Sequence, residues 1–175
     1  MPSTFTKIES VTVGSGGVGA ITFSSIPSTY TDLCLKLSIR STASSGTSGY
    51  YMQLNGVSGT SYSSRVLRNQ NGTAGSYSQS SVASANDMKT PDASLTANTF
   101  SNDEIYIPNY AGSTFKSWSI DNCKELNATN SDGMNQLIAE LFSNTGAITS
   151  IEIGATQSAN LAQYSTATLY GIKSS

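Results

Sequence analysis

The sequence predicts an all-β protein: an antiparallel β-sandwich, jelly-roll-like, with little or no helix, in a single domain over residues 1–175. Three observations predict it. Apolar residues recur at every second position in short runs, Gly, Asn and Pro punctuate those runs, and long Ser/Thr/Gly-rich stretches join them. At this length a two-sheet jelly roll fits best within that class. A single core can bury roughly 70% of the unfolded chain's surface.

The first strand is expected at "SVTV" (residues 10–13) and the next at "AITFSSI" (residues 20–26), which Pro27 closes. Between them lies "GSGGVG", with Gly14, Gly16 and Gly19 at the G-x-G-x-x-G spacing of a dinucleotide loop. That loop needs a helix opening at its end to receive the pyrophosphate. Here the following residues alternate like a strand, so the glycines are expected to reverse the chain as a hairpin turn, where positive φ costs no Cβ clash.

"DLCLKLSIR" is the clearest strand: Leu33, Leu35, Leu37 and Ile39 face one way, Cys34, Lys36, Ser38 and Arg40 the other. "YYMQLNG" and "SRVLRNQNG" stop at Asn55-Gly56 and Asn71-Gly72, pairs that supply positive φ for tight turns. "STASSGTSG" and "GTAGSYSQSSVASAN" are expected as polar loops. "NDEIYIPNY" places Ile105 and Ile107 on one face and ends at Pro108. "TFKSWSIDNCKEL" alternates Trp118 and Ile120 with polar partners, and "AITSIEIGA" and "TATLYGIK" supply the last strands. "MNQLIAELFSN" has Met134, Leu137, Ile138, Leu141 and Phe142 at helical spacing; its strand neighbours favour a strand.

Charged residues are 11% of the chain, against about 25% in a typical soluble domain. The net charge is −2, and the nine Lys and Arg are scattered singly, so no basic patch exists for nucleic acid. No window is long and apolar enough for a membrane helix, and the first ten residues lack a signal-peptide pattern. No nucleic acid and no membrane are therefore expected as partners. Cys34 and Cys123 are expected to remain separate thiols.

The chain contains no histidine, which removes Ser-His-Asp and Cys-His catalysis and His-ligated zinc together. Asp103, Glu104, Asp121, Glu125, Glu140 and Glu152 could in principle furnish a glycosidase pair, but solvated acids explain them more simply. "NSDGMNQ" (residues 130–136) lacks the acidic spacing of a calcium loop and reads as an Asp-Gly turn. Asn71 and Asn127 head N-glycosylation sequons of the kind a Ser/Thr-rich chain contains by chance. No catalytic, cofactor or metal residue is assigned, and the chain is expected not to be an enzyme.

The run "ITFSSIPSTYTDLCLKLSIRST" carries Phe23, Ile26-Pro27, Tyr30, Asp32-Leu33 and Arg40-Ser41 in order. "LNGVSGTSYSSRVL" adds Asn55-Gly56 and Tyr62-Ser63, "IYIPNYAGSTFKSW" adds Asn109-Tyr110-Ala111 and Lys116, and "AITSIEI" with "LYGIK" completes the set. Together, over residues 21–172, these resemble a group of small tailed-bacteriophage virion proteins. Phe142 stands where the pattern leads one to expect Trp. The resemblance implies a jelly-roll-like structural module of the virion, assembled in the host cytoplasm, most simply a capsid decoration (cement) protein. Its expected partners are other copies of itself, as a homo-oligomer (trimer), and the major capsid protein or other virion subunits. The alternative is a tail-associated or receptor-binding module whose Tyr50, Tyr51, Tyr62, Tyr77 or Tyr110 would stack on glycans. A trimer would cover outward residues such as Tyr106, Tyr170 and Ile172.

Overall fold

The computed structural model describes residues 4–44, 48–128 and 132–173, so most of the first polar stretch is described and residues 45–47 of it are not. Its strands are β1 (Phe5–Thr12), β2 (Ala20–Phe23), β3 (Asp32–Ser38), β4 (Tyr50–Leu54), β5 (Tyr62–Gln70), β6 (Thr73–Val82), β7 (Asn102–Ile107), β8 (Lys116–Lys124), β9 (Met134–Phe142), β10 (Ile151–Ala155) and β11 (Thr166–Ile172). They form two antiparallel sheets, one of eight strands in the order β1-β11-β3-β7-β8-β9-β5-β6 and one of three in the order β2-β10-β4. Among the described residues there is no helix, and so none long and apolar enough to cross a membrane.

Alternation explains which side chains enter the core. Directly opposed residues form a row across the large sheet: Leu169, Leu35, Ile105, Ile120, Ile138, Val66 and Tyr77. All but Tyr77, at the edge, are buried. They join Ile21 and Phe23 of β2, Met52 and Leu54 of β4 and Ile151 and Ile153 of β10 in one hydrophobic cluster. The inward face of β3 is as expected, with Leu33, Leu35, Leu37 and Ile39 buried and Lys36 exposed, but Cys34 on the opposite face is buried as well. Lys36 pairs with Glu104 on the solvent side, both side chains half exposed. Leu37→Ala is expected to cost about 2–5 kcal/mol by leaving a cavity, and Lys36→Ala within about 0.5 kcal/mol. Urea unfolding of the two variants measures both, and equal costs would contradict the assigned faces.

β9 is a strand throughout its nine residues. Its inward set is Met134, Gln136, Ile138, Glu140 and Phe142, while Leu137 points outward and is 58% exposed. The helical spacing of its apolar residues comes from mixing these two faces.

Two expectations are corrected. The glycine segment is not a hairpin: β1 pairs with β11 in the large sheet, whereas β2 pairs with β10 in the small one. Gly14–Gly19 is a crossover between layers, pinned by Val18 against Leu161. The positive φ is real, at Gly16 (+91°) and Gly17 (+74°). A Cβ on Gly17 would lie 2.7 Å from the Leu161 carbonyl oxygen, whereas one on Gly16 would meet nothing within 4 Å. Gly16→Ala should therefore cost only its backbone strain, about 1 kcal/mol, and Gly17→Ala clearly more. Matching melting temperatures for the two variants would count against this geometry.

The stretch after Asn71-Gly72 is not a loop. Asn71 (φ +51°) and Gly72 (φ +83°) form a two-residue turn from β5 directly into β6, the longest strand of the fold. β6 lies at the sheet edge and is exposed on both faces over much of its length. A strand with no buried face carries no apolar alternation, so its sequence reads as polar loop.

Candidate functional site

The residues that carry the family resemblance occupy structural positions. Phe23, Ile26 and Leu33 are core residues. Asp32 accepts the Tyr106 hydroxyl at 2.6 Å and the Asn109 amide at 2.9 Å. Asn55 Oδ1 accepts the Thr149 and Ser150 amides, and its Nδ2 donates to the Ala147 carbonyl. The Tyr62 hydroxyl accepts the Leu54 amide, and the Tyr110 hydroxyl donates to the Pro27 carbonyl. Lys116, 1% exposed, donates to the carbonyls of Gly112 and Thr114. Arg40 places its guanidinium among the carbonyls of Asp92, Leu95, Thr96 and Thr99. Asn55, Tyr110, Lys116 and Arg40 hold turn or loop backbone that has no ladder of its own.

The six acids considered for catalysis are dispersed. Glu104 is engaged by Lys36, and Glu152 accepts the Tyr51 hydroxyl at 2.8 Å; burial first, and then this hydrogen bond, push that phenol up to about 12. Asp121 lies on the outward face of β8, and Glu125 accepts the Asn127 amide. Asp103 is buried on β7, where it accepts from Ser101 at 2.6 Å and from Asn122. Burial raises it to about 7 against the hydrogen bonds that lower it. Glu140 is 2% exposed, and neither of its carboxyl oxygens has a hydrogen-bond partner.

The densest polar cluster is on the inner face of β8, β9, β5 and β6. Two rows there flank the apolar one: Asp103, Asn122, Gln136 and Arg68 on one side, Trp118, Glu140, Ser64 and Gln79 on the other. Residues 84–92 run over these rows. They bridge β4 through Ala85–Met52 and Lys89–Gly49, while the Asn122 side chain holds the Lys89 backbone through both its oxygen and its nitrogen. From this segment Asp87, 2% exposed, accepts from both Ser64 and Gln79. That sets its carboxylate beside Glu140, whose acidity burial and then the Asp87 charge weaken, to a pKa of about 9. The acid next to Glu140 is thus Asp87, which the sequence reading did not single out; "SANDMK" has no pattern that points inward.

Glu140 is sealed from solvent, so this pair of acids lies out of a substrate's reach. Among the described residues no group of three or more His, Cys, Asp or Glu could hold a metal ion. Asp132, from the sequence once weighed as a calcium loop, is bound by Lys124 at 2.8 Å and by Gln70; residues 129–131 lie outside the described set. Cys34 and Cys123 are free thiols on separate strands. Of the proposed glycan-stacking tyrosines, Tyr50, Tyr62 and Tyr110 are fully buried, and Tyr51 and Tyr77 are half-buried. The outward Tyr106 is 38% exposed and held by Asp32, beside the buried Cys34.

The outer face of the same four strands is flat and poor in charge. Leu137 and Leu67 oppose each other there at 58% and 62% exposure, flanked by Asp121 and Ser76. Compared with protein-family models, with curated proteins and with solved structures, the chain matches none of them.

Proposed function

We propose that the chain is a structural protein of a tailed-phage particle, seated as a decoration protein on the outside of the head. The observation that carries this reading is the strand order. The chain winds as four nested antiparallel pairs: β1 with β11, β2 with β10, β3 with β7, and β4 with the bridged segment at residues 85–89. The first and third pairs lie side by side in one sheet, and the second adjoins β4 in the other. Nested pairs divided in this way between two sheets support a jelly-roll reading, and that architecture is common in capsids. The hairpins β5–β6 and β8–β9 are additions that extend one sheet into a four-stranded wing.

The virion resemblance adds to this reading, because its residues clamp the turns of that wind. The exposed leucine pair on the wing's outer face suits contact with another subunit. The glycan-binding alternative loses support from the burial of its tyrosines. Gold-labelled antibody against the chain, applied to tailed-phage particles released from cells that produce it, should decorate heads. Label on tails alone would transfer the chain to the tail, and unlabelled particles would reject a virion role.

A further inference from the structure

The two edges of the large sheet differ in a way that selects a partner. An edge strand offers a row of unpaired amides and carbonyls, and proteins normally blunt it with charge, proline or a bulge. β1 is blunted: it carries Lys7 and Glu9, and its register shifts between them. β6, the other edge, is ten residues long with the sequence TAGSYSQSSV. It contains no charged residue and no proline, its side chains are mostly small, and its register shift falls near its end, between Gln79 and Val82, which leaves residues 73–79 regular.

We propose that β6 is an interface between two copies of this chain, paired antiparallel across a two-fold axis near Tyr77 and Ser78. On such an axis every residue meets its own strand reversed, so a charge near the centre would oppose itself. β6 carries no charged residue and meets that condition along its own length, while Arg68 of the neighbouring β5 lies over the Tyr77 ring on the inner side. With the axis at Tyr77, Ser76 faces Ser78 of the second copy on the outer side, while the tyrosines meet on the inner side; with the axis at Ser78, the two Ser78 residues meet. Either register forms about one backbone hydrogen bond per residue paired. The pairing also ends itself. It uses both β6 edges and leaves at each extremity a β1 that is charged and irregular, so the assembly closes at two copies instead of growing into a fibre. The symmetry this edge prescribes is two-fold, in place of the threefold packing expected from the sequence.

The inference stands apart from the head-binding reading, since it concerns the isolated chain. Native mass spectrometry and light scattering should give twice the 18.3 kDa chain mass. Ser78→Lys and Ser78→Asp should each abolish the dimer by placing like charges at the axis, and an equimolar mixture of the two should restore it. Amide exchange on the unsubstituted protein supplies a second readout, because residues 73–82 should gain protection as concentration rises through the dimer transition. A monomer or trimer at high concentration would overturn the proposal. So would a dimer that survives both substitutions, variants that stay apart when mixed, or exchange at β6 that is indifferent to concentration. Failure to label heads would leave each of these outcomes unaffected.

Discussion

Glu140→Gln is expected to make the protein more stable, and the gain should widen as the pH rises. Glu140 is buried without a hydrogen-bond partner beside Asp87. The two ion pairs among the described residues, Lys36–Glu104 and Lys124–Asp132, involve neither acid. The folded protein therefore holds the Glu140 proton up to a pKa of about 9, whereas the unfolded chain releases it near the ordinary value of 4.5. A group raised in this way contributes its stability fully below the unfolded pKa and loses it as pH climbs to the folded one. Asp103, raised to about 7, acts in the same direction over the lower part of that window. Stability should fall from pH 5 towards pH 9, with a slope from Glu140 alone of about 1.4 kcal/mol per pH unit between about pH 6 and 8 that eases to about half of that at pH 9. Gln keeps the shape and carries no proton to lose, so urea unfolding of Glu140→Gln should be nearly flat between pH 7 and 9. A wild-type stability that rises over this range would refute the assignment.

The second large effect is expected at Arg40. Its Nη1 donates to the Thr96 carbonyl at 2.8 Å and the Thr99 carbonyl at 2.9 Å, and its Nη2 to the Asp92 carbonyl at 2.6 Å and the Leu95 carbonyl at 3.1 Å. One planar fork thus gathers an eight-residue loop whose carbonyls have no strand to pair with. Losing it deprives the Leu95 and Thr99 carbonyls of their donor, while the Asp92 carbonyl still accepts the Leu95 amide and the Thr96 carbonyl the Thr99 hydroxyl; the cost is about 1–3 kcal/mol for each acceptor that water cannot reach. Arg40→Ala should cost about 2–4 kcal/mol in total, since part of the loop can rehydrate. Arg40→Lys should recover less than half, because a single ammonium cannot span four carbonyls. Chemical unfolding gives the magnitude, and proteolysis should cut both variants within residues 92–99. A lysine variant as stable as the parent would show that charge matters here and the fork does not.

How much could be read in advance depended on how each residue meets water. β3, β7 and β8 were legible because each buries one face, so Leu33–Ile39, Ile105–Ile107 and Trp118–Ile120 alternate visibly. β6 was illegible for the opposite reason, since an edge strand exposed on both faces has no apolar period to display. The glycines at residues 14–19 predicted positive φ correctly, but a local conformation does not say whether the strands it joins share a sheet. Hydrophobic pattern also assigns polar residues to the surface by default. Asp87, Gln136 and Glu140 defy that default because residues 84–92 fold over the sheet and bury them. Their proximity spans about fifty residues of sequence and leaves no local mark.

The pairing of Phe5 with Ile172 and of Thr12 with Thr166 also shapes how the molecule comes into being. β1 cannot pair until the distant β11 has been made, so at the ribosome it waits through all the intervening strands, and β2 waits almost as long for β10. Only local hairpins such as β5–β6, closed by a two-residue turn, can form early. Closing so long a loop before any native contact rewards it makes folding slow, with unpaired strand edges open to other chains meanwhile. A chain low in charge has little repulsion to keep such intermediates apart, so its passage to the native state falls to the speed of that final closure and to whatever shelters it until then.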